Sequence, residues 1–299
     1  MIKIRDLEYL TAIAQYKHFG HAAEACFVSQ PTLSGQIQKL EQRLKLTLIE
    51  RQPRNVMLTP AGEALVQQAR QVLNAANNFE EAAKALLDPL SGDLHIGLIP
   101  TLAPYILPHI MPTLNSKLVK INFYLHEKRT QDLLQQLEAG KLDILILPWL
   151  PEMARFQRYD LFTEPLVMAT SPSHALANKA KVSFDDLHNQ KILTLEDGHC
   201  LRDQAMGYCF SAGAEEDHSF RATSLETLRY MVASNMGITL LPQLATINYA
   251  PQNHLHYIAF ENPQPMREIA LLCRTGYTRM ASVKAVVHEV RQAVTGLFD

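Results

Sequence analysis

Only four cysteines occur in 299 residues, far too few for a disulfide framework. No apolar run approaches the roughly 18 residues of a membrane span. The opening "MIKIRDLEYL" carries Asp6 and Glu8 and has no apolar centre followed by small residues, so it does not have the form of a signal peptide. The expected compartment is the reducing cytoplasm, where a structural disulfide is out of place and a reversible one is not. Neither sign of charge dominates: 28 Lys and Arg against 30 Asp and Glu leave a net charge of -2. That excludes a uniformly basic chain but leaves room for a basic patch. Glycine is sparse too, and the single glycines in "EDGHC" and "TGYTR" make no phosphate loop. No cofactor is expected.

What is present is ordinary globular material, 47% hydrophobic and 19% charged, in a chain long enough for two or three domains. The first part reads as short helices. "RDLEYLTAIAQYKHFG" sets Leu7, Leu10, Ile13 and Ala14 on one face, with Asp6 placed to cap its start. In "HAAEACFVSQPTLSGQIQKLEQRL", Ala22, Ala23, Cys26 and Phe27 form one stripe and Val28-Ser29 a short break. Pro31 then opens a second helix with Leu33, Ile37, Leu40 and Leu44 inward. Two helices joined by a tight turn, the first rich in alanine, form a helix-turn-helix. The outer face of the second helix carries Gln30, Thr32, Ser34, Gln36, Gln38 and Lys39, side chains able to meet base edges in a major groove. Arg51 and Arg54 follow in a turn between extended pieces, as a phosphate-gripping wing places them. Residues 1–70 hold nine Lys and Arg against six Asp and Glu, net +3. Double-stranded DNA is the expected partner.

Thr59 and Pro60 open one long helix. Leu65, Ala69, Val72, Ala76, Phe79, Ala83 and Leu86 step by four and three alternately. A mean spacing of about 3.5 is a coiled-coil seam, so the helix is expected to pair two copies, as palindrome reading requires. After "DPLSG" the pattern becomes strand-helix-strand-helix-strand: "DLHIGLIP", "TLAPYILPHIMPTL" with prolines near its ends, "KINFYLHE", "RTQDLLQQLEAG" and "LDILILPW". Near-continuous apolar strands predict a parallel, doubly covered sheet, repeated from about Leu166. The expected fold is mixed: a winged helix-turn-helix (1–58), a linker helix (59–90) and a two-lobed α/β receptor (91–299). Lobe I takes residues 91–163 and 269–299, and lobe II takes 164–268. A cleft between the lobes is the expected ligand site.

This order, with "RDLEYL" and "VSQPTLSGQI", resembles the LysR-type transcriptional regulators over the whole chain. "LHIGLIPT", "LEDGHCLRDQAMG" and "FRATSLETLR" are similar to its peroxide-sensing members. The resemblance implies a peroxide-reactive Cys200 and a resolving Cys209. It implies a peroxide pocket of Thr101, Thr130, His199, Arg202, Asp203 and Arg267, and places Pro31, Thr32 and Ser34 on the DNA-reading helix. It implies hydrogen peroxide as signal, a homodimer or homotetramer, RNA polymerase as partner, and a glutaredoxin- or thioredoxin-type reductant. Where some relatives carry further cysteines, this chain has Ile144 and Phe260.

The local chemistry is compatible with that role. A thiol attacks peroxide as thiolate, and Arg202 and His199 are the neighbours in sequence that favour it. The Asp197-Gly198 turn is placed to set Cys200 at a helix N-terminus. If "CLRDQAMGYC" is helical when reduced, nine steps separate the two Cα atoms by about 13 Å, whereas a disulfide needs them within about 7 Å. Closing it then unfolds the segment, and Gly207 eases this. On spacing alone all four cysteines read as buried small hydrophobes, as Cys26 and Cys273 still do. His199, Cys200, Cys209 and His218 fit no common zinc spacing. A regulator answering an organic effector in the cleft and a thiol peroxidase are the competing readings. The enzyme ranks last because it needs no palindrome-reading dimer.

Overall fold

In the computed structural model, residues 2–52, 55–247 and 254–298 are described, and the chain divides into two compact units, Met1–Leu87 and Asp88–Asp299. The first contains α1 (Ile4–Tyr16), α2 (Phe19–Ala25), α3 (Gln30–Leu44), the hairpin β1 (Ile49–Gln52) and β2 (Asn55–Leu58), and α4 (Pro60–Leu87). Leu10, Ile13, Ala22, Ala23, Leu33, Ile37 and Leu40 close one core, to which α4 adds Val66 and Ala69. Ser29 caps α3 and Pro31 lies in its first turn, where a missing amide donor costs nothing. Thr59 Oγ1 accepts the Gly62 amide at 3.0 Å and closes the start of α4. A Cβ on Gly62 would stand 2.1 Å from the Leu48 carbonyl oxygen, so glycine alone lets α4 press against the base of the hairpin.

Of two local expectations here, the Asp6 cap is met from a different position and the Phe27 stripe fails. Asp6 does not precede α1 but is the third residue of its first turn, accepting the Lys3 backbone amide at 3.0 Å. Phe27 does not join the stripe of α2. That helix stops at Ala25, and Phe27 takes a φ of 55° in the turn and stands 93% exposed. Reversing the chain after Cys26 requires a left-handed residue, and that rotation carries the ring off the buried face. Along α4 the apolar seam divides. Leu65 is half-buried and Ala69 buried in the unit's own core, Ala76 is half-buried, and Val72, Phe79 and Ala83 are exposed. The Leu86 side chain lies outside the described residues.

The second unit holds a mixed sheet rather than the wholly parallel one expected. β3 (Gly92–Leu98) pairs in parallel with β4 (Ile121–Glu127) and β5 (Ile144–Pro148), with α5 (Ala103–Lys117) and α6 (Thr130–Glu138) as crossovers. The 14-residue β6 (Gln157–Thr170) and β12 (Met266–Cys273) then run antiparallel, β12 lying between β5 and β6. An apolar strand buried on both faces reads alike in either direction, so composition cannot reveal the reversal. β6 continues unbroken into the second lobe, where its end pairs with β10 (Thr239–Pro242) and β11 (His256–Phe260), and β11 pairs with β7 (Lys181–Val182). β8 (Lys191–Leu195) and β9 (Glu215–Ala222) form a separate parallel pair, with α7 (Cys200–Ser211) between them in sequence and α8 (Leu225–Ala233) following. α9 (Met280–Val294) returns to the first lobe's core.

Prolines 108 and 112 lie inside α5 rather than near its ends. With Pro104 they occupy one exposed face at intervals of four, where the carbonyls they orphan are open to solvent. The lobes keep separate cores, one built on β3, β5, α5, α6 and α9, the other on β8, β10, β11, α7 and α8. No helix among the described residues is long and apolar enough to cross a membrane.

Candidate functional site: a split thiol pair and a DNA-reading face

Residues from five strands converge where the lobes meet. Thr101 follows β3, Thr130 opens α6 after β4, and Cys200 opens α7 after β8. Arg267 of β12 and Glu164 of β6 face each other in register, both fully enclosed, with Arg267 Nε donating to Glu164 Oε2 at 2.7 Å. Glu164 Oε1 takes the Leu244 amide at 2.8 Å, and Arg267 Nη2 donates to the Thr101 carbonyl at 3.2 Å. Arg267 is thus fixed as a buried cation. Glu164 was not visible in the sequence, since nothing in a strand pattern marks the partner of a residue 103 positions away.

The Cys200 side chain is buried in the core of the first lobe, although α7 belongs to the second. Burial pushes its thiol pKa up, while the Thr130 hydroxyl, the Arg267 charge and the Leu201 amide favour the thiolate, and Asp203 opposes it. Thr130 Oγ1 has no hydrogen bond of ordinary geometry, yet lies close enough to Cys200 to act on it. Thr101 Oγ1, His199 Nε2 and Arg267 Nη1 are likewise buried without hydrogen-bond partners. Buried polar atoms are ordinarily satisfied, so such a group beside a thiol suits a small molecule that both donates and accepts. Burial pushes the His199 pKa down, with Arg129 adding to it and Glu196 opposing, so His199 is neutral there.

Arg202 does not supply the charge that the sequence assigned to it. Its Nη2 donates to both Glu216 oxygens at 2.9 and 3.0 Å and its Nη1 lies 3.1 Å from Asp197, directing the guanidinium towards β9. The cation that favours the Cys200 thiolate is Arg267, brought from 67 residues away by β12. Asp203 is exposed and pairs weakly with Arg202 at 3.5 Å. Glu216 also accepts the Thr194 hydroxyl at 2.9 Å. Although burial opposes its charged form, these hydrogen bonds hold its pKa below the usual carboxylate value. Ahead of α7, Gly198 takes a φ of 93°, a left-handed turn that glycine permits, while Arg129 pairs with Glu196 and donates to the Asp197 carbonyl at 3.5 Å.

Both thiols of α7 are free and the segment between them is helical. Cys209 is fully enclosed in the second lobe's core, and burial pushes its pKa up to about 12. The helix holds the two Cα atoms about 13 Å apart. Among the described residues no group of three or more His, Cys, Asp or Glu side chains is placed to hold a metal.

On α3, the helix expected to meet DNA, Gln30, Pro31, Thr32, Gln38 and Lys39 are exposed, and Ser34 and Gln36 are half-buried. The Thr32 hydroxyl lies 2.8 Å from Ser29 Oγ, within the helix cap. Arg54 and the Arg51 side chain lie outside the described residues.

Comparison with known proteins agrees with this layout. Residues 4–63 match the bacterial regulatory helix-turn-helix protein of the lysR family, and residues 87–295 match the LysR substrate binding domain. The DNA-binding transcriptional dual regulator OxyR of Escherichia coli is 49% identical over 298 residues, 100% of this chain and 98% of that protein. A structure of a full-length OxyR variant from Pseudomonas aeruginosa is 34% identical with a TM-score of 0.79, covering 97% of this chain and 95% of that one. The crystal structure of the oxidized form of OxyR is 48% identical with a TM-score of 0.66, covering 71% of this chain and 100% of that one.

Proposed function

The chain belongs to the LysR family of bacterial helix-turn-helix regulators, and on that premise we propose that it is a cytoplasmic, hydrogen-peroxide-responsive regulator whose switch is the Cys200–Cys209 pair. Its relatives' names support the signal, and one observation carries the mechanism. Two free thiols lie at opposite ends of one helix, each enclosed by a different lobe, and one of them sits beside unpartnered buried polar atoms.

The Cys200 thiolate attacks one peroxide oxygen: the S–O bond forms, the O–O bond breaks, and the second oxygen leaves as water after taking a proton. Arg267 and Thr130 stabilise the thiolate, while Thr101 and neutral His199 orient the peroxide. The sulfenic acid then condenses with Cys209, forming the S–S bond and releasing a second water. Because the helix keeps the partners beyond disulfide reach, condensation unwinds α7 and draws Cys209 out of its core. A glutaredoxin- or thioredoxin-type dithiol supplies the two electrons that restore the reduced state.

Residues 1–58 read duplex DNA through Gln30, Pro31, Thr32, Ser34, Gln36, Gln38 and Lys39, with Arg51 and Arg54 on phosphate. Residues 59–90 pair two copies through α4, and residues 91–299 sense. Refolding of α7 alters how homodimers, or the homotetramer, meet promoter DNA and RNA polymerase.

The test is peptide mass mapping of reduced protein after about one equivalent of hydrogen peroxide. A thiol-reversible bond between the Cys200 and Cys209 peptides is expected. Intact thiols, or oxidation scattered over Cys26 and Cys273, would overturn the redox reading.

A further inference from the structure

We infer that two contacts outside the cysteine pair, Arg202 with Glu216 and Tyr208 with Met266, set how readily the disulfide forms, Glu216 and Tyr208 acting as positioning residues. This deepens the redox reading above and rests on it.

Both contacts tie α7 to neighbouring strands, β9 and β12. Glu216 belongs to β9, its side chain is 4% exposed, and it receives Arg202, Thr194 and, at 3.5 Å, Arg221. Tyr208 donates its hydroxyl to the Met266 carbonyl at 3.1 Å and accepts the Met266 amide at 3.4 Å. Its ring stacks on Phe184, centroids 5.9 Å apart at 13°. Met266 begins β12 and is followed by Arg267, whose ladder to β6 fixes the backbone.

Arg202 lies two residues after Cys200 and Tyr208 one before Cys209, so both lie inside the span that leaves the helix when the sulfurs meet. Both contacts depend on the helical geometry of α7, so its unwinding breaks them and each counts towards the dithiol form. An interaction present in one of two states shifts the balance towards that state by its full net worth. The contacts hold the sensor reduced until the disulfide outweighs them.

The test equilibrates full-length protein with glutathione: protein dithiol plus oxidised glutathione gives protein disulfide plus two reduced glutathiones, two electrons and two protons passing to glutathione. Glu216→Gln removes a buried ionic partner and is expected to shift the constant towards disulfide about tenfold or more. Tyr208→Phe keeps the ring stack, loses both neutral hydrogen bonds to Met266, and is expected to shift it about threefold or more. Thermal unfolding should drop for the reduced form and stay unchanged for the oxidised form, a split that a general structural role would not produce. In a Cys209→Ser background both variants should keep the parent rate of Cys200 oxidation.

Unchanged constants, or equal loss of stability in both redox forms, overturn the inference, and a shift in one variant only overturns it for the other contact. Slowed Cys200 oxidation would reassign the residue to the pocket and overturn its positioning role. Should Glu216→Gln not fold, Tyr208→Phe decides. Absence of any Cys200–Cys209 disulfide in the unmodified chain would instead defeat the redox reading itself.

Discussion

At Cys200 two opposing influences meet. Burial favours the neutral thiol, and Thr130 and Arg267 favour the thiolate. Thr130→Val keeps the shape and removes the hydroxyl, so it should slow oxidation by peroxide about tenfold, the worth of one hydrogen bond to a charged group. Stopped-flow thiol consumption checks this, and an unchanged rate would locate the activating contact elsewhere. Because the thiol pKa is raised, the thiolate is the minor species at neutral pH, and the rate should climb with pH between about pH 6 and about pH 9. A flat profile over that interval would contradict the burial-dominated environment.

The helix α7 is where chemistry becomes conformation. A Cβ on Gly207 would meet nothing within 4 Å, so Gly207→Ala adds helix propensity without a clash, about 1 kcal/mol. It should shift the glutathione equilibrium towards dithiol about fivefold, opposite in sign to the loss of Glu216 or Tyr208. Alkali should act the other way. The Cys209 pKa is raised from 9.0 to about 12. The stability this gives the reduced element is fully present below pH about 9 and is lost as pH rises towards about 12. Circular dichroism of reduced protein, compared with Cys209→Ser, should show the difference only in that interval.

Much of this element was legible in sequence. The apolar runs marked β8 and β12, the cysteine spacing set the distance argument, and Gly198 announced the turn. The partners were not, because Glu216 and Glu164 reach α7 and Arg267 through tertiary pairing that no local period encodes. Phe27 misled for a related reason: an apolar residue at helical spacing reads as core until the turn's backbone rotates it outward.

For the whole molecule, the decisive element is α4, anchored by Ala69 and Val66 to its own unit and left with Val72 and Phe79 exposed. An apolar groove of about 280 Å³ runs beside it, lined in part by Ile2, Leu7, Leu65 and Val72. Large apolar side chains left exposed on a helix whose other exposed positions are largely polar suit a contact with another chain. Val72→Asp should therefore convert the protein to monomer in sedimentation velocity and weaken binding to a palindromic duplex, while leaving the Cys200–Cys209 disulfide chemistry unchanged. A stable dimer in that variant would place the pairing surface off α4.

The complete enclosure of Cys209 separates chemistry from conformation in time. Peroxide reaches Cys200 through its pocket with α7 still folded, but the partner thiol arrives only after α7 opens. A brief pulse leaves a sulfenic acid that cellular thiols erase before the helix unwinds, whereas sustained exposure outlasts the opening step and is recorded as a disulfide. The packing around one sulfur thus makes the receptor sensitive to the duration of the stress as well as its dose, a low-pass filter whose time constant is set by how fast a single helix opens.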